Sequence, residues 1–111
     1  MTLHKIICLS KRLIGIDINN NKYNQDIKQY INDAYSDICK YKYFSKETYT
    51  PQKLIEDEDH PVFPEKFHSC LVDYAVYRFL AAGDINPARA LFFFDLYVNE
   101  ASKIPKKGEE E

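Results

Sequence analysis

The sequence predicts an all-α protein, a small bundle of four helices with an extended connector between the second and third helices and a charged C-terminal tail. Apolar residues recur at intervals of three and four along most of the chain, which is the helical period. Prolines and turn-forming residues separate these periodic segments. The length of 111 residues, with 45% hydrophobic and 29% charged residues, is typical of one globular domain.

The first helix is predicted to begin after Thr2, whose hydroxyl suits the N-cap position. Its apolar positions, from Leu3 to Ile14, follow roughly helical spacing. Gly15 is expected to end the helix, because glycine adopts the left-handed conformation without steric cost. The sequence DINNNK at residues 17–22 is rich in turn formers and therefore predicts a polar loop.

The second helix is predicted to start near Asn24, which is assigned as its cap, with Asp26 in the first turn to complement the helix dipole. From Ile27 to Ile38, apolar residues at intervals of three and four form one continuous face. The pattern becomes aromatic at residues 41–44, where we expect the helix to fade.

Two segments are predicted to lie outside the helices. Residues 46–61 form the connector, which carries an acidic run at 56–59 and has room for a brief helical turn at 51–56. Residues 105–111 are charged and are expected to form a mobile tail unless a partner holds them. The single helical domain is therefore assigned to residues 1–104.

The third and fourth helices are predicted from their end signals. Pro64 is expected to open the third helix, since proline suits the first helical position, and Gly83 to end it. Asn86 is expected to cap the fourth helix, with Pro87 as its first residue. These two helices are therefore joined by a tight turn.

The fourth helix carries more apolar surface than one face can bury. Its sequence LFFFDL at residues 91–96 spreads large side chains around the axis, because successive helical residues point about 100° apart. Either this helix lies at the centre of the bundle, or one of its flanks contacts another subunit. The second hypothesis assigns a subunit interface to Tyr77, Arg78, Phe92, Phe93 and Leu96.

The residues that commonly carry chemistry do not form a recognisable site. The chain has three cysteines and no CxxC pair, which argues against a disulfide framework or a thiolate zinc site and favours a reducing compartment. His60 and His68 lack the spacing of metal ligands. Cys70 lies two residues after His68 on one helix, so the two side chains point apart. We therefore expect no enzymatic activity, no cofactor and no metal.

Membrane and sequence-specific DNA binding are also not expected. The N-terminal apolar run is shorter than a signal peptide or a membrane span requires. The formal net charge is −2, and the fourth helix has no basic face that would contact DNA phosphates.

Two blocks of the sequence resemble the short helical head–tail adaptor (connector) proteins of tailed bacteriophages. Residues 27–38, IKQYINDAYSDI, are similar to an IN-x-A-x-x-x-I helix of that family. Within residues 61–97, a P-x-x-P-E-x-x-H-x-x-L-V-x-Y-A helix is followed by a G-D-x-x-x-A turn and a final helix. The blocks cover a little under half of the chain, and the order of elements extends the resemblance further. Many relatives carry a β-rich insertion that the short connector here lacks.

The resemblance implies a structural virion protein made in the host cytoplasm and located at the head–tail junction. Such adaptors form a ring of identical subunits, commonly twelve, which binds the portal protein, extends the DNA channel and docks tail or neck proteins. DNA passes through the ring without sequence-specific binding. The residues themselves leave an alternative open, a small regulatory or antitoxin-like helical protein that binds a groove on its partner.

Overall fold

The computed structural model of the protein describes residues 1–45 and 52–109, and this part of the chain contains four α-helices and no strand. The predicted all-α fold class is therefore confirmed. A π-helical turn continues the second helix, and a 3₁₀ turn precedes the third. The α-helices are α1 (Leu3–Ile14), α2 (Asn24–Asp37), α3 (Ser69–Gly83) and α4 (Pro87–Ala101), with the π-helix at Ile38–Tyr43 and the 3₁₀ turn at Glu65–Phe67.

Local signals set the ends of α1 and the start of α4 as predicted. The hydroxyl of Thr2 accepts a hydrogen bond from a backbone N–H in the first turn of α1. Gly15 follows α1 in the left-handed conformation, with φ of 97°. The side chain of Asn86 likewise accepts a backbone N–H of α4, and Pro87 is the first residue of that helix. These caps satisfy polar groups that a helix end leaves without partners.

Two other predicted caps take different positions. Asn24 is the first residue of α2, and Tyr23 occupies the cap position without a side-chain hydrogen bond. The Asn24 amide instead donates to Oδ1 of Asn21 at 3.1 Å, within the preceding loop. Pro64 precedes the 3₁₀ turn, so α3 begins only at Ser69. The predicted start of α2 near Asn24 is therefore confirmed, whereas the 3₁₀ turn moves the start of α3 five residues beyond Pro64.

Gly83 is the last residue of α3, as predicted, but the residue after it takes the left-handed conformation that closes the helix. Asp84 takes that conformation, with φ of 49°, which aspartate tolerates better than most residues because of its short polar side chain. A Cβ at position 83 would lie 2.9 Å from Cδ1 of Ile85. The glycine therefore provides space for the side chain of Ile85, and Asp84 is the residue at which the backbone turns.

The third helix is the central element of the fold. It packs against α1, α2 and α4, and its buried side chains point to nearly every side of its axis. The fourth helix packs chiefly against α3. The hypothesis that the fourth helix is central is therefore wrong. The buried residues of α3 are Cys70, Leu71, Val72, Ala75, Val76 and Leu80.

The connector is fixed to the bundle by buried hydrogen bonds where the structure describes it. The amide of Asn32 on α2 donates to the carbonyl of Leu54 at 2.9 Å and accepts from its N–H at 2.8 Å. The carbonyl of Asp59 accepts the N–H of Leu3 at 2.7 Å and so satisfies the start of α1. Residues 52–56 of the predicted turn are not helical, and residue 51, like residues 46–50, lies outside the described residues.

The first part of the predicted tail is held by the chain itself. Ile104 is buried, and the N–H of Lys107 donates to the carbonyl of Tyr43 at 2.7 Å. The Lys107 ammonium also lies 5.5 Å from the ring centroid of Phe44. The structure thus places Lys107 against the rest of the chain, the mobility of the tail stays a prediction, and residues 110–111 lie outside the described residues.

Candidate protein–protein interface

The packing of α4 on α3 separates its two central phenylalanines. Phe93 is only 7% exposed and packs in the core, whereas Phe92 is 57% exposed. This difference follows from the turn of about 100° between neighbours in a helix. The prediction that Phe93 belongs to an external interface is therefore wrong, because its side chain is used by the chain's own core.

Phe92 and Leu96 form what we call the outer stripe of α4. They are 57% and 38% exposed and lie four residues apart, on one face of the helix. Arg89, one turn earlier, lies on the same side. Its guanidinium donates to the carbonyl of Leu13 at the end of α1 and lies 5.4 Å from the ring centroid of Phe93. The outer stripe therefore lies on the α1 side of α4, next to an anchored cation.

Leu91 and Val98 form a second flank on the same helix. Both side chains are exposed, and they lie seven residues apart, so they point in nearly the same direction. Asp95 and Asn99 lie between the second flank and the outer stripe around the helix, and both are exposed. The helix thus carries two apolar flanks separated by a polar ridge. The sequence analysis did not assign Val98 to an interface, although its spacing of seven residues from Leu91 indicates that both lie on one face of the helix.

Tyr77 belongs to a partly buried row of aromatic rings between α3 and α4, which we call the aromatic seam. The ring of Tyr77 packs against Phe94 in a tilted arrangement, with a centroid separation of 4.8 Å. Tyr74 lies at the same distance from Tyr97 and 5.7 Å from Tyr77. Such pairs contribute more than their buried area alone. Part of the surface of Tyr77, a predicted interface residue, is therefore buried against other rings of the same chain.

Arg78 ties α3 to α2. Its guanidinium lies 3.1 Å from Oδ2 of Asp33, donates to the Tyr74 hydroxyl at 2.9 Å and lies 4.7 Å from the ring centroid of Tyr30. The Tyr74 hydroxyl and the Asp33 carboxylate together raise the Arg78 pKa above its ordinary value. About a third of the side chain stays exposed, at 35%. The predicted interface residue Arg78 thus links two helices of its own chain.

A carboxylate is half-buried where α3 meets α4. Burial, and secondly the negative charge of Glu100, raise the pKa of Asp73 from 3.8 to about 6. Burial, with help from the same two carboxylates, also raises the pKa of the neighbouring Cys70 thiol far above its usual range. Cys70 is fully buried, as expected for a core residue, and its thiol is therefore held in the unreactive neutral form.

The two histidines considered for metal binding do not belong, in the described part of the chain, to a group of side chains that could hold a metal ion. His68 is buried, its Nε2 donates to the Phe63 carbonyl at 2.8 Å, and its Nδ1 meets the Met1 ammonium at 2.8 Å. Burial lowers the pKa of His68, so the neutral ring is favoured. His60 is exposed. Across residues 1–45 and 52–109, no three His, Cys, Asp or Glu side chains are arranged to hold a metal ion.

A small apolar cleft opens between the π-helix and α4. Its volume is about 140 Å³. Tyr41, which the sequence showed only as part of an aromatic run, is 55% exposed at this cleft. The cleft was not predicted, because it forms only when the end of α4 packs beside the π-helix. Its lining residues are Asp37, Ile38, Tyr41, Lys42, Tyr97 and Ala101.

None of the helices in the described part of the chain has both the length and the apolar character needed to cross a membrane. No protein-family model matches the chain, and comparison with curated proteins and with solved structures gives no match. The resemblance to head–tail adaptor proteins therefore stays a prediction.

Proposed function

We propose that this protein is a structural adaptor of a tailed bacteriophage that forms a ring on the portal at the head–tail junction. In this role the ring, of about twelve copies as in the adaptor family, extends the DNA channel and docks tail or neck proteins. The sequence resemblance suggests the family. The observation that carries the proposal is the pair of apolar flanks on α4, because their large side chains stay exposed after the described part of the chain has packed.

Two separate flanks suit a ring better than a symmetric dimer. A ring contact joins two different surfaces of neighbouring subunits, so each subunit must present both. The outer stripe lies on the α1 side of α4, and the second flank lies beyond the polar ridge that includes Asp95 and Asn99. Large exposed apolar side chains grouped in this way commonly mark protein interfaces. A helix with one apolar flank would fit a dimer equally well.

The overall charge agrees with a channel that DNA passes through. The formal net charge is −2, so the whole molecule does not attract the phosphate backbone. A ring that bound DNA tightly would slow its passage. DNA is therefore expected to slide through the ring without sequence-specific contacts.

The proposal is tested by removing the protein from its phage. A nonsense mutation in the gene should give capsids that are filled with DNA but lack tails, as seen by negative-stain electron microscopy. Expression of the wild-type protein from a plasmid should restore complete virions. Normal tailed particles assembled without the protein would contradict the proposal.

The competing regulatory role predicts a different result with purified protein. An antitoxin-like module would form a stable, closed dimer in light scattering and would not sediment with portal rings. The adaptor should instead sediment with purified portal rings, at a ratio near one adaptor per portal subunit.

A further inference from the structure

We propose that the outer stripe of one copy docks into the cleft beside the π-helix of the next copy. Phe92 is the side chain that enters the cleft, and Leu96 covers its rim. This inference rests on the proposed ring, and it specifies that the surface which receives the outer stripe is the cleft and not the second flank.

The two surfaces cannot meet within one molecule. Tyr97 and Ala101, which line the cleft, follow Phe92 and Leu96 by five positions each. Five residues correspond to a rotation of about 140° around a helix. The outer stripe and the cleft therefore face different sides of α4. Contact between them requires a second copy, and a contact between unlike surfaces produces a ring or a filament.

The cleft matches an aromatic side chain in size and chemistry. Its volume is about 140 Å³, and a protein cavity of roughly 150 Å³ takes up benzene. The wall includes the rings of Tyr41 and Tyr97, and tyrosine is enriched in the centres of protein interfaces. A phenyl ring can therefore enter the cleft and contact other rings there.

Charges on the two surfaces are complementary. Arg89 precedes the outer stripe, and its guanidinium is already held against the end of α1. Asp95 lies close to the outer stripe on the exposed face of α4. The cleft carries Asp37 and Lys42, and Asp37 forms no ion pair with the described residues. Each surface thus offers one cation and one anion. An anchored arginine loses little freedom when it pairs with a carboxylate.

A cysteine crosslink tests this contact. The full-length protein would carry Cys8→Ser, so that only the buried Cys39 and Cys70 remain, together with Phe92→Cys and Tyr41→Cys. Both changed side chains are exposed, so the fold should be kept, as circular dichroism would check. Mild oxidation of the concentrated protein should give a ladder of covalent multimers on a non-reducing gel. Oxidation of dilute protein should give only monomer.

The matched control pairs Phe92→Cys with Ile55→Cys. Ile55 is as exposed as Tyr41, at 55% each, but it lies on the connector, away from the cleft. This pair should give no ladder. A second variant, Phe92→Asp in the otherwise unchanged protein, should weaken self-association by about 30-fold or more, the effect expected for a central interface residue.

The outcomes separate this inference from the proposed ring. If electron microscopy shows rings but the Phe92→Cys and Tyr41→Cys pair gives no ladder, the docking mode is wrong while the ring stands. Crosslinking through Phe92→Cys alone would mean a symmetric dimer and would also overturn the inference. If neither rings nor ladders form, at high concentration or on portal rings, both the inference and the proposed function fail.

Discussion

The two helices that follow the connector are both rich in apolar residues, yet they use them differently. The large buried side chains of α3 point to nearly all sides and find partners in α1, α2 and α4. In α4, Ala90, Phe93 and Ala101 are buried, whereas Leu91, Phe92, Leu96 and Val98 stay exposed. An apolar helix can therefore be a centre or an edge. The number of helices packed around it determines its position. Of these two helices, only α4, at the edge, keeps apolar surface that a partner can contact.

The position in the fold explains this difference. A helix that is surrounded by three others can bury side chains on every side, and each substitution there changes the packing of the core. A helix that packs chiefly against one other helix buries a single stripe, and the rest of its surface contacts solvent or another molecule. The following predictions, from the largest effect to the smallest, test where this boundary lies.

The sharpest test compares two neighbouring phenylalanines. Phe93→Ala should lower the free energy of unfolding by about 3 kcal/mol, because it removes a buried ring and leaves a cavity. Phe92→Ala should lower it by about 1 kcal/mol or less, since that ring is 57% exposed and packs only edge-on against Phe93. Urea denaturation followed by circular dichroism measures both values.

The same pair provides its own control, because the residue type, the helix and the substitution are identical. Equal losses from both variants would mean that both rings are core residues. The outer stripe would then not exist, and the boundary between core and edge in α4 would have to be drawn elsewhere.

The contact between α3 and α4 should respond to pH through Asp73. Because its pKa is raised from 3.8 to about 6, the folded state binds more protons than the unfolded state between these values, so stability falls as pH rises from about 4 to 6. Asp73→Asn removes the charge and should stabilise the protein by about 1–2 kcal/mol at pH 7. At pH 3 the two proteins should be nearly equal in stability.

Urea denaturation at pH 3, 5 and 7 measures this difference. Glu100→Gln, which leaves Asp73 in place, should act in the same direction but more weakly, because burial is the larger cause of the shift. A variant Asp73→Asn that is less stable than the wild type at pH 7 would show that the carboxylate makes a favourable contact as an anion.

The smallest effect is expected at the link between α2 and α3. Arg78→Lys keeps the positive charge but loses the planar group that lies over Tyr30 and bonds to Tyr74. We expect a loss of about 0.5–1 kcal/mol in thermal or urea unfolding, since the side chain is partly exposed. Arg12→Lys, an exposed change on α1, is the matched control and should have no measurable effect. A loss of about 3 kcal/mol would place Arg78 in the core.

The sequence predicted the parts of the fold that depend on local chemistry. Thr2 and Asn86 cap their helices because a side-chain oxygen reaches a backbone N–H within the same turn, and that requirement is visible in a few residues. The space requirement at Gly83 and the left-handed Asp84 depend on how Ile85 turns back over the helix. Local sequence does not contain that information.

The candidate interface was predictable only in part. The excess of apolar residues in α4 was evident, but whether Phe92 or Phe93 faces the core depends on the rotation of α4 against α3. One residue of rotation exchanges the two roles, and hydrophobic spacing cannot separate them when both neighbours are phenylalanine. The cleft at Tyr41 and Tyr97 was beyond prediction for a similar reason, because its walls come from distant parts of the chain.

The hydrogen bond between the N–H of Leu3 and the carbonyl of Asp59 has a consequence for the order of folding. The residues of α1 leave the ribosome before the connector, and the carbonyl that accepts the N–H of Leu3 is made only after α2 and most of the connector. The entropy cost of closing this long loop must be met before the hydrogen bond can form, and this slows the docking of the connector on α1. The start of α1 therefore becomes fully ordered late, when the connector docks, although it is synthesised before the connector.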